Sequence, residues 1–456
     1  MDKQYFHHAL NIREEVCIGC SHCMRVCPTE AIRVRDGKSR LEANRCIDCG
    51  ECYRVCPVEA ITIEDDDFNK IFDYTSRIAL VPAIFMGQFP EDITAAQIFA
   101  GIKDLGFTHV FEVEQGVEIL RFAMTEYAKT HEHLRPLISS FCPAVVRLIQ
   151  VKFPSLTDNI MLLRPPLDIA AAYYRKLLTD QGASEEEMGI FYVTPCAAKI
   201  AAVKSPVGEE SSVITGVINM DVLYNKVYRI IKKGGSHNFD VPGIRPLSSY
   251  GITWSLTSGE KDLMEGRCLA IDEIHNVIAF LEKVENEEIT DIDFLELRAC
   301  DQSCAGGVLT NGNRFLTTDR LRKRANIRKL KGDDPGKPEE KSITYYQDYL
   351  LENINLTSVY PRSMHKFDDD MGVAMKKMNR FNELIKLFPQ VDCGVCGAPS
   401  CQALSEDIVK EKAKLTDCIF VQKIYEQRGS LSQEDTLRIM KNIWGDERMN
   451  PYSKIE

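Results

Sequence analysis

Sixteen of the chain's seventeen cysteines fall into four groups of four, a thiol density that makes metal ligation the first constraint on any fold. Two groups form a direct repeat. Cys17, Cys20, Cys23 and Cys27 precede Pro28, and Cys46, Cys49, Cys52 and Cys56 precede Pro57, offset by 29 residues throughout. Soft thiolates suit iron, and the C-x₂-C-x₂-C-x₃-C-P run wraps three donors around one 4Fe-4S cubane while sending the fourth to its neighbour. The expected ligand sets are therefore crossed: Cys17, Cys20, Cys23 and Cys56 for one cluster, Cys46, Cys49, Cys52 and Cys27 for the other. Val26, Glu30, Ala31 and Ile32 recur as Val55, Glu59, Ala60 and Ile61, so a whole half-domain is duplicated. Structural zinc uses pairs of cysteines rather than runs of four. Disulfides are disfavoured because no secretory leader opens the chain, which points to a reducing, cytoplasmic compartment.

With 456 residues and 44% apolar composition, the chain has material for two or three domains. The net charge of -11 argues against a polyanionic partner such as nucleic acid. The uncharged stretch Ile78 to Pro90 is shorter than the ~18 to 20 apolar residues of a membrane span. A basic run (Arg322, Lys323, Arg324, Arg328, Lys329 and Lys331) reads as a solvated helix end running into a linker, with steering of an acidic electron carrier as the functional alternative. The linker itself, Gly332 to Glu340, combines two prolines and two glycines with alternating charge.

From about residue 75 to 320, short apolar runs (Ile78 to Phe85, His109 to Val113, Leu137 to Phe141, Ile160 to Leu163 and Ile190 to Val193) read as strands. They alternate with helical patterns at Asp168 to Gln181 and Met220 to Lys233, which predicts an α/β domain. Beyond it, Met371, Met375, Met378, Phe381, Ile385 and Phe388 recur at helical spacing behind an aspartate cap among Asp368 to Asp370, and are expected to be core. Cys393, Cys396, Cys401 and Cys418 follow within and after DCGVCGAPSC. Glycines beside the thiols permit the tight loop that a third 4Fe-4S cluster outside the α/β domain requires, with tetrahedral zinc as the competitor. The tail from about Gln427 holds one further helical stretch.

The last group, Cys142, Cys196, Cys300 and Cys304, is scattered over the α/β region, each member at or just after a predicted strand end, where such folds gather site residues. Their flanks are Ser140-Phe141-Cys142-Pro143, Thr194-Pro195-Cys196-Ala197-Ala198-Lys199 and Glu296-Leu297-Arg298-Ala299-Cys300-Asp301-Gln302-Ser303-Cys304-Ala305-Gly306-Gly307. These segments resemble the three signatures of the FeFe hydrogenases, and Val81-Pro82-Ala83 and Gly106 to Glu112 resemble upstream parts of that family's catalytic domain. The resemblance implies a bacterial-ferredoxin-like α+β domain with two clusters at 1–72, a two-lobed α/β catalytic domain at 73–345, a helical 4Fe-4S module at 346–430 and a tail at 431–456. It implies that Cys142, Cys196, Cys300 and Cys304 hold an H-cluster: a cubane bridged, through Cys304, to a two-iron unit carrying CO, cyanide and an azadithiolate, with Lys199 donating to a cyanide. Cys268 lies outside every motif and reads as a small buried hydrophobe.

Departures from the family pattern cluster at that centre. Phe141 stands where productive members have a proton-relaying cysteine, and a phenyl ring carries no exchangeable proton, so turnover should fall by about 10² to 10⁴. Arg298 replaces a methionine, Gln302 and Ser303 a glycine pair, Ala202 a glutamate and Leu167 a glutamine, while Ala123 and Met124 align with acids of the family's proton route. With the C-terminal cysteine module, these changes resemble the sensory hydrogenases, here without a PAS domain. The expected function is an H₂-binding, sensory or low-turnover protein that takes H₂ and protons as small ligands and exchanges electrons with a ferredoxin or a redox or signalling partner, a homodimer being compatible. The alternatives are a bulk ferredoxin-linked hydrogenase, or an electron-transfer subunit with a lone 4Fe-4S at the central site.

Overall fold

The computed structural model describes residues 6–234, 245–332, 341–362, 367–368 and 370–449; most of the predicted linker falls outside these. The chain divides into two compact units. One comprises 1–9, 47–49 and 64–361, and the other 10–46, 50–63 and 362–456.

In the second of these units, β1 (Leu10–Ile12) pairs antiparallel with β4 (Ile61–Ile63), and β2 (Ile32–Arg35) with β3 (Lys38–Leu41). The β2–β3 hairpin turns on Asp36 and Gly37, at φ 52° and 70°, the left-handed pair that a tight two-residue turn demands. The sequence repeat is also a backbone repeat. Gly19 and Asp48 both adopt left-handed φ (62° and 54°), as do Ser21 and Gly50 (68° and 86°) and Glu30 and Glu59 (52° each). Aspartate and serine bear this conformation at a cost that glycine avoids.

The remainder of this unit is helical: Met371–Leu387, Cys401–Val409, Ile419–Gln427 and Gln433–Trp444. Asp370 caps the first, accepting from the Val373 amide at 2.8 Å. Phe381, Leu384 and Phe388 are buried, whereas Met371, Met375 and Met378 are 81%, 64% and 40% exposed. The expectation that the methionine stripe is core is thus wrong: only the C-terminal half of this helix packs on its neighbours, and among the described residues nothing covers the methionines. Segments far apart in sequence are fastened through buried charge. Asp407 receives Arg33 Nε at 2.7 Å and Arg35 Nη2 at 2.8 Å, and adjacent Glu406 pairs with Arg45. Val34 N donates to Gly397 O at 2.8 Å and Gly37 N to Ile443 O at 3.0 Å.

The larger unit is α/β, with two parallel sheets. β5 (Ser76–Val81), β6 (His109–Glu112), β8 (Met188–Thr194) and β9 (Gly216–Asn219) lie in the order β6-β5-β8-β9. β7 (Leu137–Ile138), β10 (Cys268–Ile271) and β11 (Phe294–Leu297) lie in the order β10-β11-β7. All seven residues of β8 are buried, as expected of a central parallel strand covered on both faces. The expected strand Leu137 to Phe141 stops at Ile138 because the next two residues bend the chain. Ser139 Oγ accepts the Phe141 amide at 3.1 Å and Ser140 Oγ donates to Leu163 O at 2.8 Å. Ile160 to Leu163 contributes isolated bridges rather than a strand. The helices Pro166–Asp180 and Met220–Lys232 fall where the periodicity puts them. The basic run ends the helix Arg314–Leu330, though Arg324 turns inward to Glu112 at 2.8 Å and Arg328 Nε to Leu247 O at 3.1 Å. Cys268 is half-buried rather than buried, on β10. Among the described residues no helix is long and apolar enough to cross a membrane.

Candidate functional site

Two strand ends and one short loop after β7 deliver the central cysteines. Cys142 caps the helix Pro143–Lys152, Cys196 follows β8 by two residues and caps Ala197–Lys204, and Cys300 follows β11 by three. A 3₁₀ turn at Ser303–Gly306, begun by the left-handed Gln302, brings Cys304 back towards Cys300, with Ser303 N donating to Cys300 O at 3.0 Å. Cys142 and Cys304 are close enough to act electrostatically on Cys196, and Cys142 on Cys304. Burial pushes the Cys196 thiol up to about 12, with Lys199 pulling the other way. Buried thiols so reluctant to ionise become good donors only when a metal ion displaces the proton.

Around these thiols the pocket is crowded with cations. Lys199 Nζ lies 4.2 Å from the centre of the Phe141 ring, and Arg298 Cζ lies 4.2 Å from the same centre. Trp254 meets that ring edge-on at 6.2 Å. All four side chains are buried. Lys199 donates to Tyr192 Oη at 3.3 Å. Burial opposes its charge, but Tyr192 and the Cys304 and Cys196 thiols outweigh that cost and hold it above its ordinary value. Arg298 Nη2 binds Glu260 at 2.9 Å. The neighbouring Glu296 receives the amides of Ser258, Glu260 and Lys261 at 3.0, 2.9 and 2.9 Å. Arg298 Nε and Nη1, Trp254 Nε1 and Ser255 Oγ are buried without hydrogen-bond partners among the described residues. Orphaned buried donors are costly. A site with three such donor groups beside a buried ammonium suits an anionic, acceptor-rich guest, and in that respect its residues fit a cyanide-bearing metal unit.

Two carboxylates, Glu114 buried and Asp168 half-buried, complete the surroundings. Glu114 accepts the Ala83 amide at 2.7 Å; burial, with Glu112 nearby, lifts its carboxyl to about 7. Burial lifts Asp168 to about 7 as well, helped by Glu209 and opposed by Arg164 and Lys199. Neither acid stands in a motif, and Trp254, Tyr192 and Glu260 are equally invisible to spacing; only their burial beside Lys199 and Arg298 brings them out. Ala123, Met124 and Leu167 are buried and apolar, so the two expected acids and the expected glutamine have no polar substitute at those positions.

Two of the other groups also bring their thiols together. Burial pushes Cys23 up to about 11, and the thiols that reach it are Cys20, Cys17 and Cys56, the crossed set. Cys27 and Cys56 each accept an amide four residues on, from Ala31 at 3.1 Å and Ala60 at 3.2 Å. Cys46, Cys49 and Cys52 occupy the matching positions of the second run. Cys393, Cys396, Cys401 and Cys418 line one pocket with Pro389, Val391 and Phe420. Cys396 feels Cys393 and Cys418, and Cys418 feels Cys401 and Cys393. Cys393 itself is exposed.

Comparison with known proteins agrees with this layout. Residues 77–225 match the family of the iron only hydrogenase large subunit, C-terminal domain, a stretch that includes Cys142 and Cys196. Residues 9–57 match a 4Fe-4S dicluster domain and 388–420 an Fe-S cluster family. The NADP-reducing hydrogenase subunit HndD of Solidesulfovibrio fructosivorans is 24% identical over 203 residues, 42% of this chain. The match spans 31% of that relative's length, well under two thirds. Among solved structures, the FeFe-hydrogenase HydA(deltaEFG) has 15% identity and a TM-score of 0.43 over 65% of this chain and 96% of its own. The apo FeFe-hydrogenase HydA1 from Chlamydomonas reinhardtii, in a cysteine-to-histidine variant, has 14% identity and a TM-score of 0.45 over 63% and 94%. Residues 77–225 thus form an iron-only hydrogenase-like region within an iron-sulfur protein that has an α/β body and 4Fe-4S domains.

Proposed function

We propose that the chain binds H₂ at a two-iron centre held in the larger unit, with low turnover suited to sensing, and exchanges electrons with a partner protein through three further 4Fe-4S clusters. The observation that carries this is the convergence of cysteines from separate loops beside the buried Lys199 ammonium and beside Arg298 and Trp254, which keep buried N–H groups without acceptors among the described residues. In this reading Cys142, Cys196, Cys300 and Cys304 hold the cubane, with Cys304 shared. The bound two-iron unit supplies an open metal position for H₂. Lys199 and Arg298 supply positive charge and hydrogen bonds to anionic ligands in a dry site, where such bonds are strongest. Phe141, having no exchangeable proton, slows proton delivery. The domain limits 1–72, 73–345, 346–430 and 431–456, a cytoplasmic setting, and a ferredoxin or signalling protein as partner belong to the same proposal.

Infrared spectroscopy of protein matured with the two-iron assembly machinery tests it. Fe-CO and Fe-CN stretches, with about eighteen irons per chain (four cubanes at four each plus two), are the expected result. Sixteen irons and no such bands would leave a four-cubane electron carrier instead.

A further inference from the structure

Phe141 and Lys199 line a cavity of about 90 Å³ in the larger unit, and the same cavity is lined by Asp168 and Glu209. At ~10 to 15 Å³ of such space per molecule, that is room for several waters. The rest of the wall is largely apolar, including Val146, Ile160 and Val203. Asp168, on the first turn of Pro166–Asp180, is deeply set but keeps contact with the cavity. Glu209 pairs with Arg164, and its side chain is 15% exposed. Both acids are half-buried, and the space they share runs to Phe141 and Lys199 of the central site.

We propose that Glu209 and Asp168 carry protons between solvent and the central site through this cavity, in place of the exchangeable group that Phe141 lacks. The inference rests on the hydrogen-binding reading of that site. A proton taken up by Glu209 passes to Asp168 directly or over one water, and Asp168 releases a proton to water beside Lys199 as it accepts the next. Each transfer breaks one O–H bond and forms another, so no oxidant or reductant is consumed. The charges of Lys199 and Arg164 keep Asp168 from staying permanently neutral, while burial and Glu209 keep it from staying permanently ionised. A carboxyl balanced between its two forms near neutrality is what efficient transfer requires.

Two measurements on the matured full-length protein test the relay. Infrared difference spectra across pH are expected to contain a carboxylic-acid band titrating near neutrality that Asp168→Asn abolishes, with or without two-iron unit bound. Exchange of H₂ with D₂O is expected to fall about 10- to 100-fold in Asp168→Asn and in Glu209→Gln. It should persist in Asp168→Glu and in Val207→Ala, an apolar change on the same cavity wall. Unchanged exchange in Asp168→Asn, with Fe-CO and Fe-CN bands intact, overturns the relay. Absence of those bands from the wild-type protein overturns the hydrogen-binding reading and the relay with it, so the spectra tell the two failures apart. Should Asp168→Asn fail to hold iron, Glu209→Gln at the half-open end decides the matter by the same two readouts.

Discussion

Restoring a cysteine at Phe141 is the obvious repair, and the structure predicts that alone it works poorly. The new thiol would stand between Lys199 and Arg298, whose charged groups each lie 4.2 Å from the present ring centre. At roughly 5 Å and an effective dielectric near 20, each cation favours a thiolate by about 3 kcal/mol. Burial opposes one such charge, as at Cys304, where it outweighs the pull of Lys199 and Arg298. The contribution of Arg298 is about 3 kcal/mol, or a factor of about 10² in the acid dissociation constant of the thiol that must give and retake the proton. Arg298 cannot be removed by itself, because Glu260 would be left as a buried unpaired charge at a cost of about 3 to 5 kcal/mol. The informative comparison is Phe141→Cys against Phe141→Cys combined with Arg298→Met and Glu260→Gln. Dye-coupled H₂ uptake, normalised to Fe-CO band intensity, should rise less than about 10-fold in the single variant and about 10² to 10³-fold in the combined one. Equal gains in both would refute the role assigned to Arg298. The single variant should also lose stability, since each desolvated cation–π contact is worth up to about 2 kcal/mol.

Other outcomes follow from the same geometry. Cys304→Ser should lower iron by about four to six atoms per chain and abolish any Fe-CO bands, while leaving the signals of the Cys17–Cys56 pair of clusters in electron paramagnetic resonance. Asp407→Asn strips the charge that Arg33 and Arg35 share and should destabilise the smaller unit by about 3 kcal/mol in denaturant melts of the iron-loaded protein. Glu114 has its folded carboxyl raised to about 7, so between the unfolded value near 4.5 and that point the unfolded chain ionises first and stability falls with rising pH. Glu114→Gln should remove that slope, about 3 kcal/mol across the window, and a stability–pH curve unchanged by the substitution would contradict it. Met378→Lys should change stability by less than about 0.5 kcal/mol, whereas Phe381→Ala on the same helix should cost about 3 kcal/mol or more by thermal melting.

The cysteine spacing was legible because metal chemistry leaves little freedom: the crossed set at Cys23 and the four-way pocket at Cys396 both follow from ligand count and run length. Strands inside the larger unit were legible where burial on both faces made continuous apolar runs, as in Met188–Thr194, and illegible where a side chain ended them, as Ser139 does after Ile138. The methionine stripe misled because periodicity reports a face without reporting whether anything covers it. Lys199 and Phe141 could be read from local motifs. Asp168, Glu114 and Glu260 could not, since each matters through a partner supplied by a distant segment.

The charge clamp at Glu406 and Asp407 has a consequence for biogenesis. Arg33 and its carboxylate lie 374 positions apart along the chain, so on the ribosome the duplicated ferredoxin half emerges long before the helix that neutralises its buried guanidinium groups is made. At ~5 to 20 residues per second that interval is tens of seconds. Iron delivered early would thus enter a half-built shell with unpaired arginines beside it, and iron delivered late would find the finished one. Cluster loading in this protein is expected to be largely post-translational.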